Sequence, residues 1–222
     1  RPDGELPLKG LAVLVTAGPT QEPLDPVRFL TNHSTGKMGY ALAEQARDLG
    51  AQVTLASGPV ALDAPYGVDV VDVTTARDMF DVVTSRFSDT DITVMAAAVG
   101  DFRPVGRSGI ELELTSNPDI LAWAGEHKRP DQTLCGFAME TRDLEANATK
   151  KLNGKHCDML VANNLRTPGA GFAADTNVVT VLTPGETADR PSIERWSKMG
   201  KDALAKRILV KLAAMRADGE RR

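Results

Sequence analysis

An asparagine, two hydroxyls and two glycines stand close together in Asn32-His33-Ser34-Thr35-Gly36-Lys37-Met38-Gly39, between an apolar run and an amphipathic one. At a helix entrance, Ser34, Thr35, Gly36 and Gly39 form an anion site, because the first backbone N–H groups lack intrahelical partners and the helix dipole is positive there. The competing interpretation is a capped helix behind a long surface loop. The stretch is not a Walker loop, since no glycine stands five before Gly36 and Met38 occupies the Ser/Thr position. It is not a dinucleotide fingerprint either, because the glycines after the first apolar run do not follow G-x-G-x-x-G.

Three further segments carry chemistry. Ala96-Ala97-Ala98-Val99-Gly100-Asp101-Phe102-Arg103-Pro104 places a carboxylate after small residues, which admit a flat ligand or another backbone. Asp101 can hold Mg²⁺, accept from a ribose or base, or satisfy turn N–H groups. Asn117-Pro118-Asp119-Ile120 reads as a second helix start, with Asn117 as N-cap, Pro118 in the first turn and Asp119 against the dipole. Capping alone accounts for those four residues. Gly136-Phe137-Ala138-Met139-Glu140-Thr141 puts Phe137 near a strand end, where it can pack on a base or ribose. Lys151 and Lys155 either converge on a polyphosphate or complement a helix C-terminus.

His33, His127 and His156 lack zinc-type spacing, and no G-x-S-x-G elbow occurs. Cys135 and Cys157 lie in apolar, strand-like surroundings and read as buried small hydrophobes rather than a disulfide or a catalytic thiol.

Positioning these segments requires elements, and the pattern supplies them. Apolar runs at Leu11–Thr16, Gln52–Ser57, Val68–Val73, Asp91–Ala98, Thr133–Met139 and Met159–Ala162 read as strands. Between them, Met38–Leu49, Ala76–Phe87 capped by Thr75, a helix opening at Asn117–Ile120, and Asp143–Asn153 closed by Gly154 read as helices. Asn177–Leu182 and Ser192–Arg195 form a hairpin around Pro184-Gly185, which extends the sheet or pairs with another subunit, and Ser197 caps a basic C-terminal helix. The fold class is α/β: a doubly wound, mostly parallel Rossmann-like sheet with helices on both faces and a β-hairpin extension. Ligands collect at the carboxyl ends of such strands.

With 222 residues and 42% hydrophobic content, the chain can bury a core without disulfides. A net charge of −4 offers no global field for nucleic acid or an anionic membrane, so cations for anionic ligands must be local. No signal peptide or long apolar span appears, and cytoplasmic location is expected. Residues 1–7 read as a linker remnant and 8–222 as the functional domain.

Taken together, the segments resemble the phosphopantothenoylcysteine synthetase half of the bacterial bifunctional coenzyme A biosynthesis protein. The resemblance rests on Gly18-Pro19-Thr20, Asp25-Pro26-Val27-Arg28-Phe29 and Asn32 through Gly39. Ala96 through Pro104, Asn117-Pro118-Asp119-Ile120, Gly136-Phe137-Ala138, Lys151-Leu152 with Lys155, and Asp158 through Asn163 add to it. It implies ligation of 4′-phosphopantothenate to L-cysteine by way of an acyl-cytidylate, with CTP as co-substrate, Mg²⁺ carried mainly by the CTP phosphates, and pyrophosphate and CMP released. It further implies CTP contacts from Met95, Ala96, Ala97, Asp101, Asn117 to Ile120, Phe137, Lys151 and Lys155, and action of Asn32 on the acyl-cytidylate. Homodimers with substrate near the subunit boundary, where Arg28 assists, also follow. So does native fusion to an N-terminal flavin-dependent decarboxylase, with no FMN in this part.

One departure concerns the stretch between Pro104 and Asn117, where the family carries a longer flap with a Lys-Ile-Lys-Lys-like cluster. Here 105–111 contains no lysine. Either the flap is deleted or a mobile stretch is missing from the sequence, and a lid closing over an active site favours the second. Two rivals stand beside the ligase: an NAD(P)-dependent oxidoreductase, and a non-catalytic nucleotide-binding module. Against the first, the second strand ends in Ser57-Gly58-Pro59 with no acidic ribose residue.

Overall fold

The computed structural model describes residues 6–105, 112–140, 143–164, 174–188 and 190–219. The first five linker residues, the lysine-free stretch 106–111 and Thr141 lie outside them. In chain order the elements are β1 (Ala12–Ala17), β2 (Gln21–Pro23), β3 (Phe29–Thr31), α1 (Lys37–Asp48), β4 (Gln52–Ser57), β5 (Asp69–Asp72), α2 (Ala76–Phe87) and β6 (Ile92–Met95). Then come β7 (Phe102–Pro104), β8 (Leu114–Ser116), α3 (Ile120–His127), β9 (Thr133–Glu140), α4 (Leu144–Gly154), β10 (Met159–Asn164), β11 (Thr176–Thr187), β12 (Arg190–Gly200) and α5 (Lys201–Gly219).

Eight strands form one sheet in the order β12-β11-β10-β9-β6-β1-β4-β5. The six from β5 to β10 are mutually parallel, and β11 and β12 are added antiparallel. The chain winds outward from β1 through β4 to β5, then returns to β6 on the other side of β1. The strand order therefore reverses between β1 and β6.

Strand β1 shows why both sheet faces are covered. Val13, Val15 and Ala17 join one core with Leu42 of α1 and Leu204, Ile208 and Leu212 of α5. Leu14 points the other way, into a second core with Met79 and Val83 of α2, Ile120 and Ala124 of α3, and Leu152 of α4. A continuous apolar run is what a strand buried on both faces demands. Cys135 and Cys157 are free and buried; burial raises both thiols, Cys157 to about 12.

Four expectations are corrected. Ser197 is no helix cap: ladder pairing of β12 with β11 continues to Gly200, opposite Thr176, and α5 starts only at Lys201. Pro184-Gly185 is not the hairpin turn but an irregular stretch within β11, and the pairing runs on to Thr187 opposite Arg190. Such a register shift absorbs extra residues without ending the strand. Asn117 does not cap α3, because Asp119 takes that place, accepting from the Ala122 N–H at 2.9 Å. Cys157 sits in the turn before β10 rather than within a strand.

Candidate active site

The loops leaving β1 and β6 are stitched together at the point of reversal. Thr16 Oγ1 accepts from the Ala97 N–H at 3.1 Å, and Thr20 Oγ1 from the Gly100 N–H at 2.9 Å. The Ala98 N–H donates to the Gly18 carbonyl at 2.8 Å, and Pro19 and Ala98 form a parallel bridge. Each loop is continued by a small antiparallel hairpin, β2–β3 on one side and β7–β8 on the other. Both hairpins lie in what the sequence presents as loops, since three-residue strands are too short to show alternation.

A cavity of about 300 Å³ opens above this junction. Its wall includes Asn32, Ser34, Gly36, Gly39, Ala96, Ala97, Asp101 and Phe137, all of them anticipated from sequence. Asn32 follows β3, and its Nδ2 donates to the Ala98 carbonyl at 2.9 Å. An amide nitrogen carries two hydrogens, so one more can be offered to a ligand. The entrance of α1 forms another side. Gly36 is its N-cap, at φ 77°, and no side chain caps the helix there. Gly39 has a packing role as well: a Cβ would stand 2.4 Å from Ala17 Cβ, so only glycine lets α1 lie this close to β1.

Other anticipated residues are not on the cavity wall. Met95 is buried in β6 and Ile120 in the core beneath α3. Asn117 donates to the Gly100 carbonyl at 2.8 Å and accepts from Arg103, bracing the β7–β8 hairpin. Pro118 leads into α3, and the Asp119 carboxylate is paired with Lys155. Lys151 pairs with Glu140, at the end of β9, at 2.7 Å. Arg28 is held in the β2–β3 turn by Asp25, whose carboxyl is lowered to about 2 chiefly by that arginine.

The cavity also includes residues that the sequence did not single out as site members: Lys37, Asn163, Asn177 and Lys201. Asn177 and Lys201 open a strand and a helix more than 130 positions from Asn32, and only the antiparallel return of β11 and β12 brings them there. No local pattern signals such a meeting. Asn163 ends the sixth apolar run, and its position after a buried strand was the available cue.

Among the described residues no three His, Cys, Asp or Glu side chains gather into a metal-holding group, and Asp101 is the carboxylate on the cavity wall. That donor set fits a divalent ion carried largely by a ligand's own phosphates. Ser57, at the end of β4, is buried and bonded to Tyr40 Oη at 3.1 Å, a poor place for a ribose.

A doubly wound sheet with a cavity at its switch point places this chain among α/β domains that bind ligands beyond the carboxyl ends of their strands. More specifically, the chain belongs to the DNA/pantothenate metabolism flavoprotein C-terminal domain family, which it matches over residues 8–215. It is 50% identical over 186 residues to the coenzyme A biosynthesis bifunctional protein CoaBC of Bacillus subtilis (strain 168), covering 79% of this chain and 46% of that protein. It is 40% identical over 212 residues to a cysteine/cysteine sulfinic acid decarboxylase of an unknown prokaryotic organism, covering 91% of this chain and 59% of that one. The crystal structure of the C-terminal domain of CoaBC superposes with a TM-score of 0.84 at 41% identity, covering 96% of this chain and 99% of that domain. The chain spans about half the length of the curated relatives it matches.

Proposed function

We propose that this domain joins 4′-phosphopantothenate to L-cysteine, activating the carboxylate with CTP through an acyl-cytidylate. The observation that carries the reading is the convergence of Asn32, the uncapped α1 entrance, Ala96 to Ala98, Asp101 and Phe137 on one cavity at the switch point. The similarity to the C-terminal domain of a coenzyme A biosynthesis bifunctional protein supports a place in coenzyme A biosynthesis.

A carboxylate resists amines because it is anionic and would have to expel oxide. Its attack on the α-phosphorus breaks the bond to the β-phosphate, and the electron pair leaves with pyrophosphate. The mixed anhydride then has CMP as a good leaving group, and the cysteine amine displaces it. Two anions must meet, so the α1 dipole and nearby lysines supply positive potential. A bound Mg²⁺ would neutralise phosphate charge, with Asp101 as its protein carboxylate. Phe137 offers a face for the base or ribose, while Lys151 and Lys155 add positive charge on the neighbouring rim.

Asn32 serves the second half-reaction, offering its remaining N–H to the acyl oxygen. Losing a donor of this kind costs about 100- to 1,000-fold in rate, so Asn32→Ala should accumulate acyl-cytidylate in a single-turnover assay. Amide formation at the normal rate would reject the role.

The domain is taken to comprise residues 8–222 after a linker remnant at 1–7, fused natively to a flavin-dependent decarboxylase and working in the cytoplasm as a homodimer. The dimer is supported by exposed Val27 and Phe29 on one hairpin and Phe102 and Leu114 on its neighbour, an apolar patch that a partner would cover. No described helix is long and apolar enough to cross a membrane.

The deciding experiment is pyrophosphate release from CTP with and without phosphopantothenate. Release that requires phosphopantothenate, before cysteine is added, supports the ligase. CTP binding without turnover would leave a non-catalytic nucleotide-binding module, the alternative that the lysine-free stretch at 105–111 keeps in play.

A further inference from the structure

Among the described residues, Arg103 on β7 is a half-buried cation in no ion pair with a carboxylate. Its Nη1 donates to the Ser116 carbonyl at 2.7 Å and to Asn117 Oδ1 at 3.1 Å, while its Nε and Nη2 reach no acceptor among those residues. Arg28, the arginine of the neighbouring hairpin, is by contrast occupied by Asp25 through both Nε and Nη2. The Arg103 clamp is also tied to the site. Asn117 donates from Nδ2 to the Gly100 carbonyl and from its main-chain N–H to the Asp101 carbonyl, each at 2.8 Å. The guanidinium is thus linked through one side chain to the backbone that carries Asp101. A planar fork held at one nitrogen keeps its orientation, and two nitrogens remain to donate to an anion.

The hairpin has two unlike faces. Phe102 opposes Ser116, Arg103 opposes Thr115 and Pro104 opposes Leu114. Alternation puts the exposed Phe102 and Leu114 on one face, and Arg103 with Asp101 and Asn117 on the other. Asp101 is on the cavity wall and Arg103 is not, standing two residues, or about 7 Å, further along the strand. The polar face therefore continues the cavity past its rim. At about 300 Å³ the cavity is at the small end of those that hold one ligand, so two substrates together extend beyond it. Phosphopantothenate carries its carboxylate at one end and its phosphate at the other, about 10 Å apart when extended. With the carboxylate at Asn32, the phosphate must lie towards the rim.

Resting on the ligase reading, we propose that Arg103 binds the 4′-phosphate of phosphopantothenate and selects this acid over pantothenate, which lacks the phosphate. Nε and Nη2 donate to two phosphate oxygens, the paired geometry that a guanidinium offers. Holding the remote end of the acid orients the carboxylate for attack on the α-phosphorus. Arg103 is a specificity residue, remote from the bonds that change.

Pyrophosphate release from CTP by the whole chain, at varied phosphopantothenate and at varied pantothenate, tests this. Arg103→Met should lower kcat/KM for phosphopantothenate about tenfold, the loss of one charge-assisted pair, and that for pantothenate by no more than about twofold. Arg103→Lys, which keeps the charge without the fork, should recover part of the loss. In titration calorimetry, CTP affinity of Arg103→Met should stay within about twofold of wild type. Equal losses for the two acids would reduce Arg103 to a brace of the hairpin and overturn the subsite. A fall in CTP affinity matching the fall in turnover would place the guanidinium on the triphosphate and overturn it as well. If the wild type does not turn over pantothenate, its inhibition constant against phosphopantothenate replaces kcat/KM in the same contrast. If circular dichroism shows Arg103→Met unfolded, the contrast is read from Arg103→Lys. A wild type without phosphopantothenate-dependent pyrophosphate release removes the ligase reading and the subsite with it; normal release, with no discrimination between the acids lost in the variant, removes the subsite alone.

Discussion

Helices α1 and α2 both start at the carboxyl ends of parallel strands, yet their entrances are built for opposite purposes. At α2, Thr75 Oγ1 accepts from the Asp78 N–H at 3.1 Å and Asp78 Oδ2 from the Thr75 N–H at 2.8 Å. Glu22, buried, takes the Ala76 N–H at 2.8 Å. The positive end of α2 is thus neutralised by the protein's own oxygens. At α1, Gly36 has no side chain to offer, and the entrance faces a cavity. The lesson is that a helix start is informative about ligands where the sequence withholds its own cap. Helix α3 follows the closed pattern, with Asp119 as cap and Lys155 on its other oxygen.

Variants at the two entrances should therefore fail differently. The largest effect belongs to Gly39→Val, whose side chain must displace α1 from Ala17. We expect about 2–3 kcal/mol lost in urea denaturation, with CTP affinity falling too. Retained stability would mean that the close helix–strand approach is not required. Thr75→Ala, at the closed entrance, should cost about 1 kcal/mol in the same measurement and leave CTP titrations unchanged. Impaired CTP binding there would erase the contrast. The smallest effect is pH-dependent and concerns the β2–β3 turn next to the open entrance. The Arg28 side chain, followed by the Val27 and Arg28 main-chain N–H groups, lowers the Asp25 carboxyl from 3.8 to about 2, so the turn's contribution is present above pH 3.8 and disappears as pH falls through about 2. In Arg28→Ala, carbon-detected NMR should find Asp25 titrating nearer 3.8; an unmoved midpoint would assign the shift to the main-chain N–H donors instead.

Much of this architecture was legible in the residues because the strands are buried on both faces and read as unbroken apolar runs. The Thr75 cap was legible too, as its partner lies only three positions away. The hairpins β2–β3 and β7–β8 were not, being three residues per strand. Nor was the length of β11, since Pro184-Gly185 is ordinarily a turn and here is absorbed as a register shift. Asp101 was found because it follows a run of small residues after an apolar strand, and Asn32 because it opens the Ser-Thr-Gly stretch before α1; Phe137, expected near a strand end, lies within β9. Asn177 and Lys201 were not, because their place on the wall is set by a sheet order that no local spacing encodes.

The chemistry at the open entrance can be traced with a single labelled atom. Phosphopantothenate carrying ¹⁸O in its carboxylate should, after turnover with CTP and cysteine, yield CMP with one ¹⁸O on its phosphorus, detected by mass spectrometry. That follows because the attacking oxygen stays with the α-phosphorus when the amine displaces CMP. Label in orthophosphate with CDP as co-product, or unlabelled CMP, would contradict an acyl-cytidylate formed in this cavity.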